Sequence, residues 1–315
     1  MPMSSYSLPK PHLTPVAFAP LLVLVFLGLV PWALFAQPLK VAATTTMVSD
    51  LVRQVGGDQV TVEGLMGPGV DPHLYKPTAT DVLKLQRAEV IFYNGLVLEG
   101  KMTDLFARMA RTKKHVYAVT ESIPLEQLLE PPEFQGHYDP HVWLDVTLWA
   151  KCVDTVVKGL SEARPDAAEA FTRRGAEVKK QMHHLHEWAR AKAAELPESR
   201  RILVTSHDAY NYFGRAYGFQ VVGLQGVSTV TEAGLADITK MVDFIRAKDI
   251  RAIFVESSVS PAAIQRISQD AGVKVGGELF SDAMGTPGKM ENGYDLGTYN
   301  GMIRHNLETI VNALK

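Results

Sequence analysis

The sequence predicts an α/β protein made of two (β/α) lobes with mostly parallel sheets, joined by one long helix. Three observations lead there. From residue 38 onward, short apolar runs rich in β-branched residues alternate with helical stretches, the pattern of βα units around a parallel sheet. A stretch framed by Pro165 and Pro197 interrupts that alternation, rich in Ala, Glu, Lys and Arg and broken only by Gly175. The chain is 46% hydrophobic and leaves about 280 residues after its leader, enough for two cores more readily than one.

The leader comes first. No charged residue lies between Lys10 and Lys40, and 16–36 is apolar almost throughout, ending in small residues before Gln37-Pro38. This is the form of a secretory signal peptide over 1–36, cleaved near Ala36. The rival is an uncleaved anchor, since roughly 20 apolar residues span a bilayer, with Pro20 and Pro31 counting against it. The chain's one cysteine, Cys152, is far from the cleavage site, so a lipid-modified cysteine there is not expected; it also rules out an internal disulfide. Without the leader, 31 basic residues face 34 acidic ones, a formal charge of −3 that gives no reason to expect nucleic acid as a partner.

The first lobe, 37–163, has expected strands at 40–45, 59–63, 89–93 and 116–119. Thr78-Ala79-Thr80-Asp81 has the form of a capping box and opens a helix to about Arg87. A second helix is expected from about 146 to 160. The linker, 164–197, is about 30 residues long and would reach roughly 45 Å as a helix. The second lobe, 198–315, resumes with strands at 201–205, 220–223, 252–255 and 273–276, and helices at 208–217, 232–248, 261–271 and 295–314.

Three histidines and an aspartate stand in short loop signatures on this frame: Asp71-Pro72-His73, Asp139-Pro140-His141, Ser206-His207-Asp208 and Ser281-Asp282-Ala283. The gaps from His73 to His141 to His207 to Asp282 are 68, 66 and 75 residues, so only tertiary structure can gather them. Three imidazole nitrogens and one carboxylate oxygen suit a borderline divalent metal at roughly 2.0–2.2 Å each. Four protein donors close a tetrahedral shell, which favours holding an ion over activating water on it. In open α/β sheets, ligand sites form beyond the carboxyl ends of strands, so two donors from each lobe would meet in one cleft.

Read together with Gly223-Leu224-Gln225-Gly226-Val227-Ser228-Thr229 and Phe254-Val255-Glu256-Ser257-Ser258, these motifs resemble the metal-binding receptors of zinc and manganese ABC transporters, the TroA-like (cluster A-I) periplasmic proteins. The resemblance covers essentially the whole chain from Lys40. It implies two lobes on a rigid long helix, little closure on binding, and delivery of zinc or manganese to a membrane permease by a monomer. His73, His141, His207 and Asp282 fall on the family's four ligand positions. Manganese-dedicated members tend to carry a carboxylate where this chain has His207, and this donor set favours zinc or mixed use. Some zinc-specific members have a long, acidic, His-rich loop; here 121–138 holds only His137.

Further residues have a functional reading beside a plain one. Asp71 and Asp139 most simply cap turns ahead of proline. Glu256, at the end of an apolar strand, either orients a ligand imidazole or sits at an exposed strand end. Asp145 caps the next helix, while Trp143 and Tyr75 shield the cleft or pack in the core. His183, His184 and His186 lie on the linker helix and are read as a solvated face. The alternative function is a secreted zinc metallohydrolase, which needs an open coordination position and a base such as Glu256; the expectation here is a receptor that is not an enzyme.

Overall fold

The computed structural model describes residues 1–3, 7, 8, 10, 37–112, 115–134 and 136–315. The apolar segment of the expected signal peptide, 16–36, lies outside them. Among the described residues no helix is long and apolar enough to cross a membrane.

In the first half β1 (Leu39–Ala43), β2 (Val60–Gly64), β3 (Val90–Tyr93) and β4 (His115–Ala118) form one parallel sheet in the order β2-β1-β3-β4. The strands are joined by α1 (Thr46–Gly56), α2 (Ala79–Arg87) and α3 (Thr103–Arg111). β1 is central: Val41 lies opposite both Val62 and Val90, and Leu39, Val41, Ala42 and Ala43 are buried, the apolar run that a strand covered on both faces requires. The capping box of α2 is present, with Asp81 N–H donating to Thr78 Oγ1 and Thr78 N–H to Asp81 Oδ2.

α4 (Val146–Ala163) leads through one tight turn, Pro165–Ala167, into α5 (Ala168–Ala193). At 26 residues α5 is about 39 Å long, shorter than expected because its first turn tightens at Pro165 and it ends before Pro197. Its buried residues, Phe171, Gly175, Val178, Met182, Leu185, Ala189 and Ala193, recur every three or four positions as one stripe. A Cβ on Gly175 would sit 2.5 Å from Val157 Cγ2 of α4, so the one glycine of the helix marks where the two helices approach most closely.

The second half pairs β5 (Ile202–His207) with β6 (Gln220–Gln225) and β7 (Ala252–Glu256) with β8 (Lys274–Leu279), both parallel, with β5 beside β7. The helices α6 (Asn211–Tyr217), α7 (Leu235–Ala247) and α8 (Ala262–Ala271) follow their strands. Each starts one to three residues later than the sequence suggests. Residues 208–210 first carry the chain off β5, and α7 begins where Asp237 accepts the Gly234 N–H. The segment from Asp295 is not yet helix. A hairpin of β9 (Met290–Glu291) and β10 (Tyr294–Asp295) intervenes, the Asp295 carboxylate takes the N–H groups of Gly288 and Gly297, and Thr298 caps α9 (Tyr299–Leu314).

The largest apolar cluster runs through both halves, from Leu39 and Trp149 to Phe213, Phe254 and Leu314, and α5 contributes its whole stripe apart from Gly175. Two smaller clusters fill the outer side of each sheet. At roughly 1.5–3 kcal/mol for each large apolar side chain removed from water, the shared cluster ties the halves together far more strongly than the linker alone.

Candidate metal centre

The same local grammar sets the first two histidines. In Asp71-Pro72-His73 the aspartate Oδ1 accepts the His73 N–H at 2.8 Å, and in Asp139-Pro140-His141 the aspartate Oδ1 accepts the His141 N–H at 2.9 Å. The proline between them fixes φ, so each Asp-Pro-His forms a tight turn that points the imidazole inward. His207 is placed differently, as the last residue of β5, and Asp282 stands three residues beyond β8.

All four side chains are buried and their donor atoms lie within 4.8 Å of one another. His73 Nε2 is 3.2 Å from His141 Nε2; Asp282 Oδ1 is 3.4 Å from His141 Nε2, and Asp282 Oδ2 is 3.4 Å from His207 Nε2. Bonds of about 2.0–2.1 Å in a tetrahedral shell put neighbouring donors roughly 3.3 Å apart, so these three edges have the size a zinc-like ion needs. His207 Nε2 and Asp282 Oδ1 are buried without a hydrogen-bond partner, a costly arrangement for polar groups removed from water.

Carboxylates stand behind two of the rings. Asp139 Oδ1 accepts from His141 Nδ1 at 2.7 Å. Glu256 Oε2 is 2.6 Å from His207 Nδ1, off the line of a straight hydrogen bond, while Glu256 Oε1 accepts the His207 backbone N–H at 2.9 Å. A proton on Nδ1 leaves the Nε2 lone pair free toward the centre, the tautomer a metal requires. His73 has no such support: among the described residues no side chain hydrogen-bonds its Nδ1.

Without an ion, the centre neutralises itself with protons. Burial works against charge on every imidazole. At His141 it is outweighed by Asp139 and Asp282, which raise that ring to about 9. At His207 it is outweighed by Glu256 and Asp282, which raise it well above its usual range. At His73 burial wins, pushing the ring down to about 3. Burial likewise opposes the Asp282 carboxylate, yet the neighbouring rings hold it well below the usual range.

The structure thus brings His73, His141, His207 and Asp282 together. Asp139 is more than a turn cap, because one oxygen serves both the turn and the His141 ring. Glu256 is buried behind His207, not at an exposed strand end. Asp145 caps α4 by accepting the Thr147 N–H at 2.9 Å. Trp143 is fully buried, 5.2 Å from the His141 ring, and donates to the Ser281 carbonyl at 2.8 Å, closing the floor of the centre. Tyr75 does not shield it: its hydroxyl donates to Asp81 and the Leu65 carbonyl, among the residues of the first half's small core. His183 and His184 are exposed on α5, and the half-buried His186 ring lies tilted against Tyr217, centroids 5.7 Å apart.

Sequence reasoning missed several supports. Asn211 Nδ2 donates to Asp139 Oδ2, Ser258 Oγ to Asp282 Oδ2, and Thr229 Oγ1 to Asp71 Oδ2. Gly223 is required by close approach, since a Cβ there would lie 2.6 Å from the Asp208 nitrogen and 2.7 Å from the His207 carbonyl carbon. Only the glycine carried a local signal, an interruption in an otherwise apolar strand.

Residues 41–313 match the family described as zinc-uptake complex component A, periplasmic. The chain is 45% identical over 284 residues to the manganese-binding lipoprotein MntA of Bacillus subtilis, covering 89% of this chain and 90% of that one. It is 46% identical over 279 residues to the zinc-binding protein TroA of Treponema pallidum, covering 87% and 88%. The solved structure of the periplasmic zinc-binding protein TroA from Treponema pallidum superposes with a TM-score of 0.83 at 45% identity, over 89% of this chain and 99% of that one. The matched span includes all four candidate donors, and the chain belongs to the periplasmic zinc-uptake component A family.

Proposed function

We propose that this protein is an extracytoplasmic solute-binding receptor that captures zinc or manganese between its two halves and hands the ion to the permease of an ABC transporter. His73, His141, His207 and Asp282 hold the ion, which is cargo and not a resident cofactor. The observation that carries this reading is the convergence of three imidazole nitrogens and a carboxylate at ligand spacing, two of those atoms buried without any other partner. The reading includes a signal peptide at 1–36, lobes at 37–163 and 198–315 with the linker at 164–197 between them, and a monomer in the periplasm.

The metal is a question of chemistry more than of kinship, because relatives of equal identity carry manganese in one name and zinc in the other. Three nitrogens and one oxygen favour zinc in intrinsic affinity, while a bidentate Asp282 accommodates manganese. The metallohydrolase alternative gains no support from Glu256, whose two oxygens are engaged by the His207 backbone and ring on the side away from the centre. Protein purified without added metal, analysed for its elements and then titrated with zinc against manganese, should hold one divalent ion per chain and prefer zinc. A preparation that binds neither ion after treatment with a chelator and reloading refutes the receptor reading.

A further inference from the structure

The three imidazoles are not held alike. His141 and His207 each have a carboxylate against Nδ1, whereas the His73 ring has none. His73 is also the ligand imidazole with measurable exposure, at 6% against 0% for the other two. Its position depends on its loop, and that loop reaches the second half of the chain through one short hydrogen bond. Asp71, whose Oδ1 holds the His73 N–H, accepts the Thr229 hydroxyl at Oδ2 at 2.6 Å across 158 residues of sequence.

We propose that the Thr229–Asp71 hydrogen bond is the latch that keeps the His73 turn closed over the centre, and that its breakage sets the rate at which the bound ion leaves. Thr229 and Asp71 are positioning residues: neither reaches the ion, and both act through His73. When the latch opens, the Asp71 turn lifts and carries His73 away, leaving three donors and an open coordination position. The latch borders a cavity of about 350 Å³ lined by Asp71, Leu74, Ser206, Gln225, Thr229 and Ser258. Ser206 Oγ and Gln225 Oε1 are buried there without hydrogen-bond partners, oxygen donors fit to receive an ion as it exchanges protein ligands for water. Ser258 contacts Asp282, so the cavity borders the centre at both ends.

This inference rests on the receptor reading, and the test separates the two. Zinc is loaded on the full-length protein, and its release into excess chelator is followed by stopped flow for the wild type, Thr229→Val and Thr229→Ser. Valine keeps the shape of threonine and deletes the hydroxyl. A hydrogen bond to a charged group lost in this way corresponds to release faster by about tenfold or more. Thr229→Ser should return release to within about twofold of the wild type. Thermal unfolding of the metal-free proteins serves as the structural control: Thr229→Val should unfold in one cooperative transition, its midpoint lowered by only a few degrees by the lost hydrogen bond. An unchanged release rate in Thr229→Val, a rate that serine fails to restore, or a metal-free Thr229→Val without a cooperative thermal transition overturns the latch while leaving the receptor reading standing. A wild type that binds neither zinc nor manganese overturns both.

Discussion

The two halves of the molecule present their donors by different means. In the second half His207 is the end of a buried strand, and Asp282 follows closely on another, so regular structure aims the ligands and Glu256, at the end of β7, completes the support. In the first half His73 and His141 lie in long irregular loops, 65–78 and 123–145, and are aimed by Asp-Pro-His turns and side-chain hydrogen bonds. Strand-borne ligands are preorganised by the fold itself. Loop-borne ligands depend on a few polar contacts, each of which can be removed separately.

The sharpest break of that contrast comes from the ligands themselves. Four-donor zinc sites gain about 10–16 kcal/mol in all, so one donor is worth roughly 3–4 kcal/mol, a few hundredfold in affinity. His207→Ala should lose at least this much in titration calorimetry, since it also leaves Glu256 Oε2 buried without the ring beside it. His73→Ala should lose less, about tenfold to a hundredfold, because water can reach its position. If both cost the same, or His73 costs more, the strand-borne half is not the firmer one.

The next effect concerns the carboxylates behind the rings. Supports of this kind are typically worth about 10–100-fold in metal affinity. Glu256→Gln and Asp139→Asn should both fall in that range, and Asp139→Asn should also loosen the 123–145 loop, visible as faster amide exchange there. Glu256→Gln should leave exchange in β5 unchanged. The reverse pattern would place the flexibility in the strands.

The last test is the pH dependence, and its sign follows from the raised rings. In the metal-free protein His141 and His207 keep their protons, which contributes stability fully present below the unfolded value near 6.5 and lost as pH rises through about 9 at His141. The incoming ion displaces those protons. Affinity should therefore rise with pH between about 6 and 8, by roughly one decade per unit for each proton displaced. Calorimetry at pH 7 in buffers of different ionisation enthalpy should count between one and two protons released per zinc. A count of zero would mean that the rings are neutral before the ion arrives.

Much of this was legible in the chain and some was not, for physical reasons. The alternating pattern located the eight parallel strands because buried parallel strands are apolar on both faces, and capping chemistry located α2 to the residue. The short hairpin at 290–295 was read as helix because two-residue strands carry no periodicity of their own. The four donors stood out because each sits in a compact Asp-Pro-His, Ser-His-Asp or Ser-Asp signature. Thr229 and Asn211 did not, because a hydroxyl or amide that reaches a residue more than 70 positions away leaves no mark in its own neighbourhood. Tyr75 shows the opposite failure: a suggestive aromatic beside a ligand motif packs against the first half's small core, where its hydroxyl meets the buried Asp81.

The tight crossing at Gly175, where α4 and α5 leave no room for a methyl group, has a mechanical meaning. With the largest apolar cluster running through both halves, swinging them apart would expose its side chains to water. On the receptor reading proposed above, an ion would then enter and leave through small movements at the rim while the frame beneath keeps its shape.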